Sequence, residues 1–147
     1  MRKALIILSW VLLTSCSKAQ DIPDVPSGYL YPVDQGVPGK KTYVCGERPF
    51  DTKGNLIASG DLAGQTKQVF ENIKSSLSTV SMTLQDIIQI KYLVKGTSVE
   101  VGADTVHLLN NVGTMYFTVP PQIIDVKSVP KIVRDEVLIE IEVIAAK

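Results

Sequence analysis

The chain has 147 residues with 15 basic and 15 acidic side chains, so its formal net charge is zero. Binding to nucleic-acid phosphates depends on clustered lysines and arginines, and no such cluster is present, so the composition disfavours a nucleic-acid partner. A chain of this length is enough for one domain with one hydrophobic core.

The first fifteen residues have the pattern of a signal peptide. Arg2 and Lys3 precede an apolar run over residues 4–13, which is too short to span a bilayer as a stable helix. The run ends in Leu-Thr-Ser before Cys16, which resembles the bacterial lipoprotein box, where the cysteine is lipidated and becomes the new N-terminus. An ordinary secretory signal and a retained membrane anchor are the alternatives.

Removal of residues 1–15 would leave 13 basic and 15 acidic residues, because Arg2 and Lys3 are lost, and the net charge would become minus 2. Acyl chains on Cys16 would hold the protein at a membrane of the cell envelope. If Gram-negative sorting rules apply, Ser17 favours the outer membrane. Residues 16–28 then predict an extended tether, and Cys45 has no second free cysteine with which to form a disulfide.

The domain itself is predicted over residues 29–147. Its first elements are a short strand over residues 29–31 and a second strand over residues 42–45. An amphipathic helix follows from Asp61 to about Ser78, with Ser59 or Asp61 as its N-cap. The helix is indicated by apolar or small side chains spaced three and four residues apart, at Leu62, Thr66, Val69, Phe70, Ile73 and Leu77.

The next elements alternate strand and helix. Residues 88–94 alternate apolar and polar side chains and predict a strand with one buried face. A second helix is predicted from Val99 to about Met115, although its glycines weaken the pattern. Residues 119–121, Val-Pro-Pro, end that segment, and residues 123–128 predict another strand.

The last strand, Val137 to Ala146, is predicted to join the core to a functional site. Its alternate residues from Val137 to Ala145 form one apolar row, whereas Glu140 and Glu142 lie on the opposite face. Carboxylates between apolar neighbours suggest a partly covered cleft or a subunit interface, and a mixed surface face is the alternative. The order of elements predicts an α+β fold with two helices on one face of a mixed sheet.

From about Thr42 onward the chain resembles the RidA family, also called the YjgF or L-PSP endoribonuclease family. Residues 45–49, Cys-Gly-Glu-Arg-Pro, resemble that family's Ser-Gly-Gln-x-Pro, and residues 65–73 resemble its first-helix signature. Residues 84–95 resemble Leu-x-Asp-Ile-Val-x-x-x-Val-Phe-Val-Lys, and residues 126–142 resemble the closing Val-x-x-Leu-Pro and Val-Glu-Ile-Glu.

The resemblance implies a chorismate-mutase-like sheet with two helices and a homotrimer with a pocket in each seam between subunits. It also implies hydrolysis of reactive enamines and imines from amino acids to a 2-oxo acid and ammonia. In that chemistry an arginine holds the substrate carboxylate, a glutamate at the position of Glu140 orients water, and backbone groups at the position of Gly46 contact the substrate.

The sequence departs from this pattern at the arginine. The family has Pro-Ala-Arg-Ser before the penultimate strand, and the gapless register places Pro121 at the arginine position. Proline has neither a cation nor an N–H group, so it cannot replace a bidentate carboxylate clamp. We therefore predict a diverged member that binds a small carbonyl or imine metabolite, with imine deaminase activity as the alternative and endoribonuclease activity as a weaker third.

Two further residues lie next to Gly46. Arg48 could supply the missing cation, or it could be a solvated loop arginine. Cys45 replaces the family's serine and could be a thiolate nucleophile, although a small buried strand residue is the simpler interpretation. His107 has no second histidine with which to bind a metal, and the sequence predicts neither a metal nor a cofactor site.

Overall fold

A computed structural model describes residues 29–33, Gly39 and residues 41–147. The predicted signal peptide, the lipidation of Cys16 and the tether over residues 16–28 lie outside the described residues. Among the helices of the described part, none is both long and apolar enough to cross a membrane.

The observed elements follow the predicted order of strands and helices. Five strands and two α-helices are present in the described residues, and a single turn of 3-10 helix over Leu84–Asp86 leads into the third strand. The elements are β1 (Tyr29–Val33), β2 (Lys41–Glu47), α1 (Leu62–Ser78), β3 (Ile87–Lys95), α2 (Ala103–Gly113), β4 (Gln122–Val129) and β5 (Ile139–Ala146).

The strands form one mixed sheet in the order β1-β2-β5-β3-β4. The β3–β4 pair is parallel and the other pairs are antiparallel. The C-terminal strand β5 therefore lies in the middle of the sheet, with β2 on one side and β3 on the other. The predicted α+β fold, with two helices on one face of a mixed sheet, is confirmed.

The core lies between β5 and the helices. The predicted apolar row of the last strand, from Val137 to Ala145, is 0–1% exposed at each alternate position. Phe70 of α1 is fully buried, and its ring lies 4.9 Å from the ring of Tyr116 and 5.4 Å from that of Phe117. Burial of side chains of this size supplies most of the favourable free energy of folding.

The second helix is shorter than predicted. It begins at Ala103 with Gly102 as its N-cap, so the predicted start at Val99 is wrong by four residues. Val99 is 93% exposed and has no apolar surface to contact. Because a glycine inside a helix costs about 1 kcal/mol relative to alanine, extension of the helix back through Gly102 would cost free energy without gaining burial.

Candidate functional site

The candidate site lies on the face of the sheet opposite the helices. There the alternate side chains of β5 are half-buried, including Glu140 and Glu142. The predicted partial cover of this face is therefore present within a single chain. Tyr43 of β2 and Lys91 of β3 contact Glu142, and Arg48, which follows β2, contacts Glu140.

Glu140 forms an ion pair with Arg48. The Arg48 Nε–H donates to Glu140 Oε2 at 2.6 Å, and the two side chains are 29% and 14% exposed. A short hydrogen bond between a guanidinium and a carboxylate is about twice as strong as one between neutral groups. Arg48 is thus a member of the site, and the alternative of a solvated loop arginine is not what the structure contains.

Gly46 lies directly beside this ion pair. It has a φ of +75° at a bulge in the pairing of β2 with β5, between Val44 and Glu47. A Cβ atom at Gly46 would be 3.4 Å from Glu140 Oε1 and 3.5 Å from Arg48 Nη2. The bulge therefore brings bare backbone next to the carboxylate and the guanidinium.

Replacement of Gly46 by alanine is expected to lower the free energy of unfolding by about 1–2 kcal/mol, because left-handed backbone costs a residue with a Cβ that much. Gly54 is a matched control, since its φ is +80° and nothing lies within 4 Å of an added Cβ. Denaturant titration of both variants should give losses equal to within about 0.5 kcal/mol. A much larger loss for Gly46→Ala would mean that the methyl group displaces the ion pair.

The backbone that carries Arg48 is fixed by α1. The buried Asn72 side chain donates to the carbonyl oxygens of Arg48 at 2.9 Å and Phe50 at 2.8 Å, and Gln68 donates to Asn72 Oδ1 at 2.8 Å. Sequence reasoning missed this role. The signal was a polar Asn72 on the buried side of the predicted helix, because a buried amide must have hydrogen-bond partners.

A second buried amide fixes the chain just before Glu140. Gln65 Nε2 donates to the Glu136 carbonyl at 2.8 Å and to the Ala58 carbonyl at 3.3 Å, while the Leu138 N–H donates to Gln65 Oε1 at 2.8 Å. The helix α1 therefore holds both halves of the ion pair, through Asn72 on the Arg48 side and through Gln65 on the Glu140 side.

Glu142 belongs to a separate polar cluster on the same face. Its Oε2 accepts from the Tyr43 hydroxyl at 3.3 Å and from Lys91 Nζ at 3.4 Å. Burial and the Glu142 carboxylate both raise the pKa of Tyr43. The two carboxylates of β5 are thus each paired with a cation, from β3 in one case and from the segment after β2 in the other.

Cys45 is partly buried beside both carboxylates. Burial is the largest cause that raises the pKa of its thiol, and Glu142 and Glu140 raise it further. A thiolate is therefore disfavoured here at neutral pH, whereas reactive cysteines have a lowered pKa. This environment argues against the interpretation of Cys45 as a nucleophile.

Pro121 lies far from Glu140 within one chain. Gln122 pairs with Gln89 of β3, whereas Glu140 pairs with Leu93. Four residues of β3 span ~13 Å, and β4 and β5 lie two strand spacings apart, so Gln122 and Glu140 are roughly 16 Å from each other, and Pro121 lies one residue beyond Gln122. The sheet does not bring Pro121 and Glu140 of one chain into a common site.

Pro121 instead borders a cleft between α2 and strands β3 and β4. The cleft has a volume of about 140 Å³. His107 lies elsewhere on α2, on its exposed side. Within the described ranges, no group of three or more His, Cys, Asp or Glu residues is placed to hold a metal ion.

These features define a class of protein: a mixed sheet with two helices on one face and a paired glutamate and arginine beside a glycine bulge on the other. The family model described as Endoribonuclease L-PSP matches residues 31–147. The chain therefore belongs to the RidA/YjgF family.

Individual relatives agree with this assignment. A RutC family protein of Pyrococcus horikoshii is 34% identical over 112 residues, which are 74% of this chain and 81% of the relative. The YjgF gene product of E. coli superposes with a TM-score of 0.62 at 25% identity, over 84% of this chain and 94% of that one. RidA of Psychrobacter has the same fold at 21% identity and a TM-score of 0.66, over 84% of this chain and 95% of its own.

Proposed function

We propose that this protein is a ligand-binding member of its family, which takes up a small molecule in a pocket shared between subunits of a homotrimer and does not hydrolyse imines. The observation that carries the proposal is the ion pair between Arg48 Nε and Glu140 Oε2 at 2.6 Å. The second support is Pro121, which occupies the position of the family's substrate-binding arginine.

The ion pair opposes catalysis by Glu140. A carboxylate that orients an attacking water must offer an oxygen to that water, and a general base must be within hydrogen-bond reach of the proton that it takes. In this chain Glu140 Oε2 accepts from Arg48, which leaves Oε1 as the oxygen that could accept from a water, and the side chain is only 14% exposed. Arg48 also compensates the charge of Glu140, so the pair presents no net charge to a ligand.

The separation of Pro121 and Glu140 supports a shared pocket. The pairing register places Gln122, the residue after Pro121, roughly 16 Å from Glu140 in one chain, at the ~3.3 Å rise per strand residue. A molecule that contacts both must therefore sit between two chains. A homotrimer with one such pocket in each seam supplies that arrangement, and the half-buried outer face of β5 would contribute to the interface.

The alternative function is the family's enamine and imine deaminase activity. A guanidinium has five N–H donors, and in the described part of the chain Arg48 uses only Nε in the ion pair. Its remaining donors lie beside Gly46 and could hold a substrate carboxylate in place of the missing arginine. An endoribonuclease role is a weaker third, because the mature net charge of minus 2 and the lone His107 argue against it.

We also propose that Cys16 is lipidated and holds the trimer at the cell envelope. The support is the sequence Leu-Thr-Ser-Cys after a short apolar run. The pocket would then face the compartment beyond the inner membrane.

The decisive experiment supplies freshly generated 2-imino acids and measures ammonia. We expect no release above the uncatalysed background from the wild-type protein, because Glu140 is held by Arg48 and Pro121 provides no cation. Glu140→Gln should release no more ammonia than the wild type. Light scattering on the same sample should give the mass of a trimer.

An active relative of the family, assayed in parallel, is the positive control for the supply of imine. Ammonia release that exceeds background in the wild type and is lost in Glu140→Gln would establish the deaminase alternative instead. In that event Arg48→Ala shows what Arg48 does. Loss of ammonia release would mean that Arg48 binds the substrate carboxylate, whereas release at the wild-type rate or above would mean that Arg48 only pairs with Glu140.

A further inference from the structure

The cleft beneath α2 has the size and surface of a small-molecule site. Its volume is about 140 Å³, and an apolar cavity of ~150 Å³ is known to hold benzene. The inner wall is formed by side chains of β3, α2 and the segment that follows α2. Most of the lining is apolar, including Ile90, Leu109, Phe117 and Pro121, and the polar residues Tyr92, Asn110 and Thr114 also border the cleft.

Tyr92 places a polar group in this wall. The residue is only 3% exposed, and burial raises the pKa of its hydroxyl. The hydroxyl oxygen is not among the fully enclosed polar atoms that lack a partner in the described residues, so it keeps some accessible surface, and Tyr92 lines the cleft. A hydroxyl that is accessible from the cleft can donate to an oxygen of a bound molecule, so a molecule that carries an oxygen would be favoured over one that does not.

No charged side chain borders the cleft among the described residues. The family's arginine position is Pro121, so an anionic group in the cleft would lose its hydration without gaining a cation. The ion pair of Arg48 and Glu140, which would face Pro121 of the neighbouring chain in the proposed trimer, also has no net charge. The cleft therefore excludes carboxylates, although it accepts a ring.

We propose that the cleft binds a small uncharged ring compound with one hydrogen-bonding oxygen, and that the oxygen pairs with the Tyr92 hydroxyl. This inference deepens the proposed function and rests on it for the contact with the neighbouring chain. Binding within the cleft itself requires residues of one chain only.

Three probes of similar size test this proposal. Phenol has a ring and a neutral oxygen, toluene has a ring without an oxygen, and benzoate has a ring with a carboxylate. Ligand-observed NMR titration of the wild-type protein should rank them as phenol, toluene and then benzoate. Phenol should bind at least tenfold more tightly than benzoate.

Two variants separate the hydrogen bond from the cavity. Tyr92→Phe should weaken phenol about tenfold, the value of one buried hydrogen bond, and leave toluene unchanged. Gly113→Leu should abolish binding of both, because an added Cβ has its nearest neighbour, Phe117, at 3.9 Å and the larger side chain fills the cleft. Leucine is a better helix former than glycine, so this variant is expected to stay folded, which its unfolding temperature would verify.

Three results would overturn the proposal: no probe binds, benzoate binds as tightly as phenol, or Tyr92→Phe weakens phenol and toluene equally. The ammonia measurement separates this proposal from the proposed function. Ammonia release together with Tyr92-dependent phenol binding would refute the proposed function alone, whereas absence of both would refute the ligand class alone.

Discussion

Replacement of Gln65 by leucine is expected to lower the free energy of unfolding by about 3 kcal/mol. The fully buried Gln65 amide pairs with the Glu136 and Ala58 carbonyls and with the Leu138 N–H. Each buried backbone group left without a partner costs about 1–3 kcal/mol, and the added apolar surface of leucine offsets part of that sum. Denaturant unfolding monitored by circular dichroism measures the loss.

Gln68→Leu is the matched control, because Gln68 lies on the same helix and is half-buried, and among the described residues its side chain bonds only to that of Asn72. Its loss should stay below about 1 kcal/mol. Equal losses in the two variants would contradict the role of Gln65 as the group that fixes the segment before Glu140. The comparison thus measures how strongly α1 holds the glutamate side of the site.

The fold was largely predictable because its periodic signals are local. The alternation in the last strand predicts a buried row from Val137 to Ala145, and the structure has this row at 0–1% exposure. The spacing of apolar residues predicts a helix from Asp61 to about Ser78, and the structure has α1 over Leu62–Ser78. Burial of one face explains both patterns. The start of α2 was not predictable with the same accuracy, because Val99 continues the helical spacing although no apolar surface lies opposite it.

The sequence indicates candidate site residues but not how they pair. The sequence indicates Gly46, Arg48 and Glu140 separately, yet Arg48 and Glu140 are 92 residues apart and meet only because β2 and β5 are neighbours in the sheet. No local pattern contains that adjacency. The supporting amides of Gln65 and Asn72 were missed for the same reason, since their partners lie in distant segments.

The two departures of this chain act at different places. In the proposed function, Pro121 stands where the family's arginine would border the cleft beneath α2, whereas Arg48 compensates the charge of Glu140 beside Gly46. On that proposal, the first difference weakens the binding of an anionic substrate and the second weakens the orientation of water by Glu140. An arginine restored at position 121 should then recover carboxylate binding without imine hydrolysis.

Pro121→Arg is therefore expected to tighten benzoate binding about 30-fold, since a hydrogen bond to a charged partner contributes about 2 kcal/mol. Toluene should bind no more tightly than it does to the wild type. Pro121→Met is the control, because it provides a similar length and the backbone N–H without the charge. NMR titration of each variant with both probes measures the change.

The same variant distinguishes the two causes proposed for the absence of catalysis. Because Arg48 still holds Glu140 Oε2 at 2.6 Å, Pro121→Arg should bind the carboxylate and release no ammonia from 2-imino acids. Ammonia release by Pro121→Arg would mean that the absence of an arginine at position 121 is the sole cause of inactivity. It would also mean that the ion pair of Arg48 and Glu140 opens in the presence of substrate. If Pro121→Arg and Pro121→Met bind benzoate equally, position 121 does not face the ligand, and the shared pocket must lie elsewhere on the sheet.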